Sequence, residues 1–183
     1  GGGVYSYWPI DYGKPIDKEG DRARSIAGMR DLAKRAADHG VTLCCESLNR
    51  FEGYLINTAE ECVKYVTDVG MDNVKVMLDT FHMNIEETSI SAAIRTAGDL
   101  LGHFHTGECN RRVPGKGRMP WREIANALQE IGYDGTVCME PFVKIGGEVG
   151  RDIRIWHNMY DDLSDAKLDK DAVDALKFQR YMF

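Results

Sequence analysis

Four strand-like apolar runs in this chain end on residues able to bind a cation. VTLCCES leads to Glu46, VKVMLD to Asp79, GHFHTG carries His105 and TVCMEPF carries Glu140. A carboxylate at the end of a buried strand is costly unless a cation or a proton compensates it. Three oxygen donors with one imidazole suit Mn²⁺, Mg²⁺ or Co²⁺ better than a structural zinc, whose ligands are usually sulfur-rich. Taken singly, each residue fits a buried hydrogen-bonded polar group or a helix N-cap better. Four at equivalent strand ends point instead to one hard-cation site. Glu52 and His82 lie just beyond their strands and Arg111 in a long loop, where they can orient a polyhydroxylated ligand. As isolated residues they equally fit a solvated surface. Trp8, in SYWP, fits a pocket wall or ordinary packing. His103 shares a strand side with His105 but sits deeper, where a hydrogen-bonded core histidine is expected. The GKG turn at 115–117 resembles a phosphate loop only weakly, because the flanking pattern is absent.

The elements that must position these residues follow a regular rhythm. Val4–Trp8 reads as the tail of a strand, followed by a turn-rich loop to Gly20. Asp21–His39 has a helical apolar stripe of Ile26, Met29, Leu32, Ala33 and Ala36, with Gly40 as its stop. The strand Val41–Leu48 places Thr42, Cys44 and Glu46 on one side. Thr58 with Glu61 has capping-box spacing, and Gly70 ends the helix that follows. After the Asp79 strand come a helix over Ser89–Leu101 and a strand over Gly102–Gly107. A helix starting at Pro120 and a strand over Gly135–Val143 complete the repeat. Lys144–Asp165 is mixed, and Asp169–Phe183 reads as a last helix. Strand and helix thus alternate roughly every 30 residues, the pattern of βαβ units on a parallel sheet. No glycine-rich phosphate turn follows any strand, which argues against a doubly wound nucleotide fold. A barrel fits better, since barrel sites draw residues from the C-terminal ends of several strands. Four full strands and a remnant are too few to close an eight-stranded barrel.

The 183 residues carry a formal net charge of −6 with a sequence pI near 5.4. That opposes a nucleic-acid partner, which normally meets a basic face. No apolar run approaches the ~20 residues of a membrane span, so no membrane partner is expected. Five cysteines without CxxC spacing (Cys44, Cys45, Cys62, Cys109 and Cys138) fit reduced thiols in a cytoplasmic protein. No signal-peptide pattern opens the chain, and it begins GGGVYSYWP without an initiator Met, as if a longer protein were entered in mid-strand.

ESLNRFE, VKVMLDTFHMNIEE, LLGHFHTGECNRRVPGKGR and MEPFVKIGG, with SYWPIDY near the start, resemble the ketose 3-epimerases, the D-tagatose and D-psicose (D-allulose) 3-epimerase family. The likeness leans toward the psicose group and covers essentially the whole chain. It implies a (β/α)₈ TIM barrel, of which residues 1–183 are the C-terminal part, from about the end of strand 4 to helix 8. The N-terminal strands are then absent, and the isolated chain is expected to be inactive and prone to associate. Strand edges would be unpaired, and inward faces bearing Cys44, Met77, Phe104 or its neighbours, and Cys138 would be uncovered.

The resemblance also implies a divalent metal, Mn²⁺ or Co²⁺ with Mg²⁺ as a further candidate, held by Glu46, Asp79, His105 and Glu140. Substrate contacts are implied for Glu52, His82 and Arg111, with Trp8 near the sugar. The implied reaction inverts C3 of a free ketohexose, D-fructose to D-psicose or D-tagatose to D-sorbose, through a cis-enediolate. Glu46 and Glu140 would exchange protons on opposite faces. The complete enzyme is expected to be a cytoplasmic homo-oligomer, a dimer or tetramer. Rival readings are another barrel aldose–ketose isomerase, an apurinic endonuclease, and a non-catalytic sugar-binding fragment. The endonuclease would need further His and Asp ligands and a basic face.

Overall fold

In the computed structural model, which describes Gly13 and residues 15–183, strands and helices alternate as the sequence rhythm predicts. Trp8 and the Val4–Trp8 segment lie outside the described residues. The order begins with α1 (Lys18–Asp38), β1 (Leu43–Glu46), α2 (Ala59–Val69), β2 (Val74–Asp79) and α3 (Thr80–Glu86). Next come α4 (Ile90–Ala97), a single 3₁₀ turn (Gly98–Leu100), β3 (Leu101–Thr106) and α5 (Trp121–Glu130). The last elements are β4 (Val137–Met139), α6 (Gly147–Asp152) and α7 (Asp165–Met182). The strands form one parallel sheet in the order β1-β2-β3-β4, so each crossover adds the next neighbour.

Local chemistry explains the helix ends. Asp17 caps α1, accepting from the Gly20 N–H at 3.0 Å. The Thr58 hydroxyl accepts from the Glu61 N–H at 3.2 Å, and Gly70 ends α2 in the left-handed region at φ 68°. α7 starts at Asp165 rather than Asp169, because Ser164 supplies an N-cap to Lys167.

One sheet face packs under the helices. Cys45, Val76, Leu78 and Phe104 lie there, fully buried with Tyr65 and Cys62 of α2, Ile94 of α4 and Ile124 of α5. The opposite face carries Cys44, Met77, His103 and His105, only partly buried, and Cys138, exposed. His103 and His105 share the inward side as their alternation predicts, so of Phe104 and its neighbours it is the neighbours that the inward face carries, while Phe104 belongs to the helix-side core. β3 is irregular just before them: Val76 pairs with Leu101 but Met77 pairs with His103, so Gly102 is an extra residue. His103 is half-buried rather than a core histidine, with its ring edge-on to His105 at 4.9 Å.

Candidate metal centre

Each of the four strands delivers one donor at its C-terminal end. Glu46 is the last residue of β1 and Asp79 the last of β2; His105 is the penultimate residue of β3; Glu140 immediately follows β4. One ligand atom from each lies within 4.8 Å of all the others. In a flat sheet the two outer strands would stand ~14 Å apart, three spacings of about 4.8 Å. The convergence of Glu46 with Glu140 therefore requires the sheet to curl toward its inward face, as a barrel wall does. Donors on opposite sides of one ion stand about 4.2 Å apart, so the cluster has only a few tenths of an ångström to close.

Asp79 divides its two oxygens. Oδ1 caps α3 by accepting from the Phe81 N–H at 2.7 Å, whereas Oδ2 is buried with no hydrogen-bond partner. Glu46 Oε1 and His105 Nδ1 are likewise buried and unpartnered. Orphaned donors are rare in folded proteins, and these three come from the same cluster. They fit a bound cation.

The second group of residues closes over this cluster. His82 lies in the first turn of α3, 2 % exposed, with Nε2 at 3.7 Å from Glu46 Oε1. The Asn49 backbone N–H donates to His82 Nδ1 at 3.1 Å, and Asn49 Nδ2 stands 2.8 Å from the same nitrogen. Nδ1 is thereby an acceptor, so the neutral ring carries its proton on Nε2, facing the cluster. Arg111 is nearly buried, with Nη1 3.1 Å from Glu140 Oε2 and 3.7 Å from Asp79 Oδ2. Its Nη2 is 3.4 Å from His82 Nε2 and 3.7 Å from Glu52 Oε1. The guanidinium also lies over the Phe81 ring, 3.8 Å from its centroid. Glu52 is fixed by Asn49 Nδ2, which donates to it at 2.9 Å. Glu46, Asp79, His105, Glu140, Glu52, His82 and Arg111 thus form one constellation.

The crowding of carboxylates sets the protonation. Burial, reinforced by the Asp79 and Glu140 charges, pushes the Glu46 carboxyl up to about 7. Burial alone would pull His105 down, but the carboxylates of Asp79 and Glu140, 3.6 and 3.8 Å from Nδ1, outweigh it and push the imidazole up to about 10. Asp79 and Glu140 also feel burial that would raise them. His105 and Arg111 hold both below the usual carboxylate range. Burial lowers His82, which stays neutral near pH 7.

Sequence reasoning missed three supports. Thr80 locks the start of α3 to the end of β3: its hydroxyl donates to the Gly107 carbonyl at 2.7 Å and accepts from the Gly107 N–H at 2.8 Å. Asn49 bridges Glu52 and His82, and its Oδ1 accepts from the Phe51 N–H at 2.9 Å, an Asx turn that the Asn-Arg-Phe stretch could have signalled. Glu108 is wholly buried in the loop after β3, and no periodicity marks it.

Parallel strands delivering polar groups to one end of a curled sheet define an α/β-barrel wall with a hard-cation cluster. Residues 2–173 match the xylose isomerase-like TIM barrel family. The D-psicose 3-epimerase of Agrobacterium fabrum is 60 % identical over 182 residues, covering all of this chain and 63 % of its own. The crystal structure of D-psicose 3-epimerase with D-tagatose from Clostridium cellulolyticum H10 superposes with a TM-score of 0.95 at 60 % identity, over 97 % of this chain and 62 % of that one. An L-ribulose 3-epimerase from Methylomonas sp. is 35 % identical over 174 residues, covering 93 % of this chain and 59 % of its own. The chain belongs to the xylose isomerase-like TIM-barrel family, on its ketose 3-epimerase branch. It spans about three fifths of the length of these relatives.

Proposed function

We propose that these 183 residues are the C-terminal part of a single-barrel ketose 3-epimerase that interconverts D-fructose and D-psicose, with D-tagatose and D-sorbose as a further pair. The observation that carries the reading is the convergence of Glu46 and Glu140, from the two outer strands of the described sheet, on Asp79 and His105, with three of the four residues holding an orphaned ligand atom. Glu46, Asp79, His105 and Glu140 would hold a divalent ion, with Mn²⁺ or Co²⁺ our assignment from the oxygen-rich set with one imidazole. When bound, such an ion supplies positive charge beside the ketose carbonyl, which acidifies the neighbouring C3–H.

The proton chemistry then belongs to the protein. One glutamate of the Glu46–Glu140 pair takes the C3 proton from one face, leaving a cis-enediolate, and the other returns a proton to the opposite face. The two exchange roles in the reverse direction. The Nε2–H of His82 and the guanidinium of Arg111 would donate to sugar oxygens, and Glu52 would accept from a hydroxyl. Trp8 is proposed as a wall beside the sugar. We assign the protein to the cytoplasm, as a homo-oligomer with a small-molecule ketose as partner; its five cysteines are free thiols.

The test is turnover of D-fructose in D₂O by the complete protein. Deuterium should appear at C3 of both sugars, and Glu46→Gln and Glu140→Gln should each abolish turnover while leaving sugar binding largely intact. Label confined to C1 or C2 would assign an aldose–ketose isomerase instead. Sugar binding without any exchange would leave a non-catalytic sugar-binding role.

A further inference from the structure

We propose that Glu108 is a positioning residue that holds Arg111 in the pocket, an inference that rests on the epimerase reading. Glu108 makes no hydrogen bond or ion pair to the four cluster donors, yet it is 0 % exposed. Its carboxylate is satisfied by the loop that follows. Oε1 accepts from the Gly115 N–H at 2.7 Å and from Trp121 Nε1–H at 2.8 Å, and Oε2 accepts from the Met119 N–H at 3.0 Å. Three N–H groups around one buried carboxylate are an arrangement of charge-assisted bonds that a neutral side chain cannot reproduce. The loop wraps the group closely: a Cβ on Gly117 would come 2.3 Å from Oε2.

The backbone of the same residue closes the turn that carries Arg111. The Glu108 N–H donates to the Arg112 carbonyl at 3.0 Å, and the Arg111 N–H donates to the Glu108 carbonyl at 2.9 Å. Arg111 sits inside this turn at φ 63°, a left-handed conformation that non-glycine residues rarely adopt without being held from both sides. On the far side its carbonyl accepts from the Phe142 N–H at 2.9 Å, two residues beyond Glu140. Glu108 thus pins the strained turn with its main chain and the start of α5 with its side chain. Movement of either end would swing a guanidinium that now reaches Glu140, His82 and Glu52.

In Glu108→Gln, one accepting oxygen becomes an NH₂ group that confronts N–H donors, with the volume unchanged. We expect kcat/KM for D-fructose to fall about a hundredfold, the scale of an ångström-sized misplacement of a binding group. A positioning role predicts that the loss passes through Arg111. In an Arg111→Ala background, Glu108→Gln should therefore cost less than threefold more. Equal losses in both backgrounds would overturn the proposal. Trp121→Phe removes one of the three bonds and keeps the ring, so it serves as the milder variant if Glu108→Gln does not fold; its loss should be smaller and equally dependent on Arg111.

A second readout needs no turnover. The Arg111 Nε–H resonance of the complete protein should be protected from exchange in the wild type and lost or broadened in Glu108→Gln and Trp121→Phe. A wild type inactive on every ketose would refute the functional reading while this signal still decides the positioning role. An unshifted, protected Arg111 signal in the variants would refute the positioning role alone.

Discussion

Divalent-ion affinity at the Glu46–Asp79–His105–Glu140 cluster should rise steeply with pH across neutrality. Without the ion, Glu46 holds a proton below about 7 and His105 below about 10, because burial and crowded carboxylates favour those forms. The ion binds only their deprotonated forms, so each proton competes with it. Between pH 8 and pH 6, His105 is protonated throughout and costs about tenfold per unit, roughly a hundredfold in all. Glu46 passes from mostly ionised to mostly protonated and adds about a further tenfold. Asp79 and Glu140, held low, contribute nothing in this window. The product is roughly a thousandfold weaker Mn²⁺ binding at pH 6 than at pH 8, about 4 kcal/mol. Calorimetric Mn²⁺ titrations of the complete protein in two buffers of different ionisation enthalpy measure both affinity and proton release. About one and a half protons should be released at pH 7, one from His105 and half from Glu46. A change below tenfold over this range, or release near zero, would mean that His105 is neutral in the ion-free site and would refute the reasoning.

Three further outcomes follow from the packing. Thr80→Val strands the buried Gly107 N–H and carbonyl that its hydroxyl now satisfies, and should lower stability by about 2 kcal/mol in a denaturant titration, at the centre of the range for an unsatisfied buried group. Gly102→Ala would bring a Cβ within 2.5 Å of the Lys75 Cβ and should cost about 1–3 kcal/mol by overpacking, with a wild-type midpoint as the contrary result. Expressed as these 183 residues alone, the polypeptide should associate and turn over little or no ketose, because the described sheet ends on β1 and β4 and its inward face leaves Cys138 exposed. Size-exclusion chromatography and an epimerase assay check it, and a monodisperse, fully active monomer would contradict it.

The strands and their ends were legible because a buried parallel strand writes itself as an apolar run, and a polar residue at its end stands out. Glu46, Asp79, His105 and Glu140 could be found that way. The two short helices could not. α3 begins directly after the strand-ending Asp79 and spans too few turns to show a period, so the sequence placed His82 only as lying just beyond its strand. α6 lies in a glycine-containing stretch with a single buried residue, Gly150. Alternation within β3 was legible too, placing His103 and His105 on one side, whereas the extra residue at Gly102 just before them left no trace in the pattern. The network of Asn49, Thr80 and Glu108 joins residues far apart in sequence through single hydrogen bonds, which leave no periodic trace.

Charge decides between the bland and the chemical readings of the strand-end residues. The bland reading accounts for Asp79 Oδ1, a helix cap, and for Asn49 as an Asx turn. It leaves Asp79 Oδ2, Glu46 Oε1 and His105 Nδ1 without a hydrogen-bond partner. Glu46, Asp79, Glu140 and Glu52 bring four carboxyl groups to one end of the sheet, and among the described residues the cationic groups that oppose them are His105 and Arg111. His105 must then hold a proton well above its ordinary range, and Glu46 must keep one near neutrality, for the cluster to stay balanced. Both adjustments occupy with protons the lone pairs that a cation would use, and both are reversed by a single divalent cation. A scaffold that needed only a stable strand end would be better served by apolar residues at these positions. The anionic excess is therefore most simply read as the binding energy for an ion, stored at the ends of strands that have no other use for it.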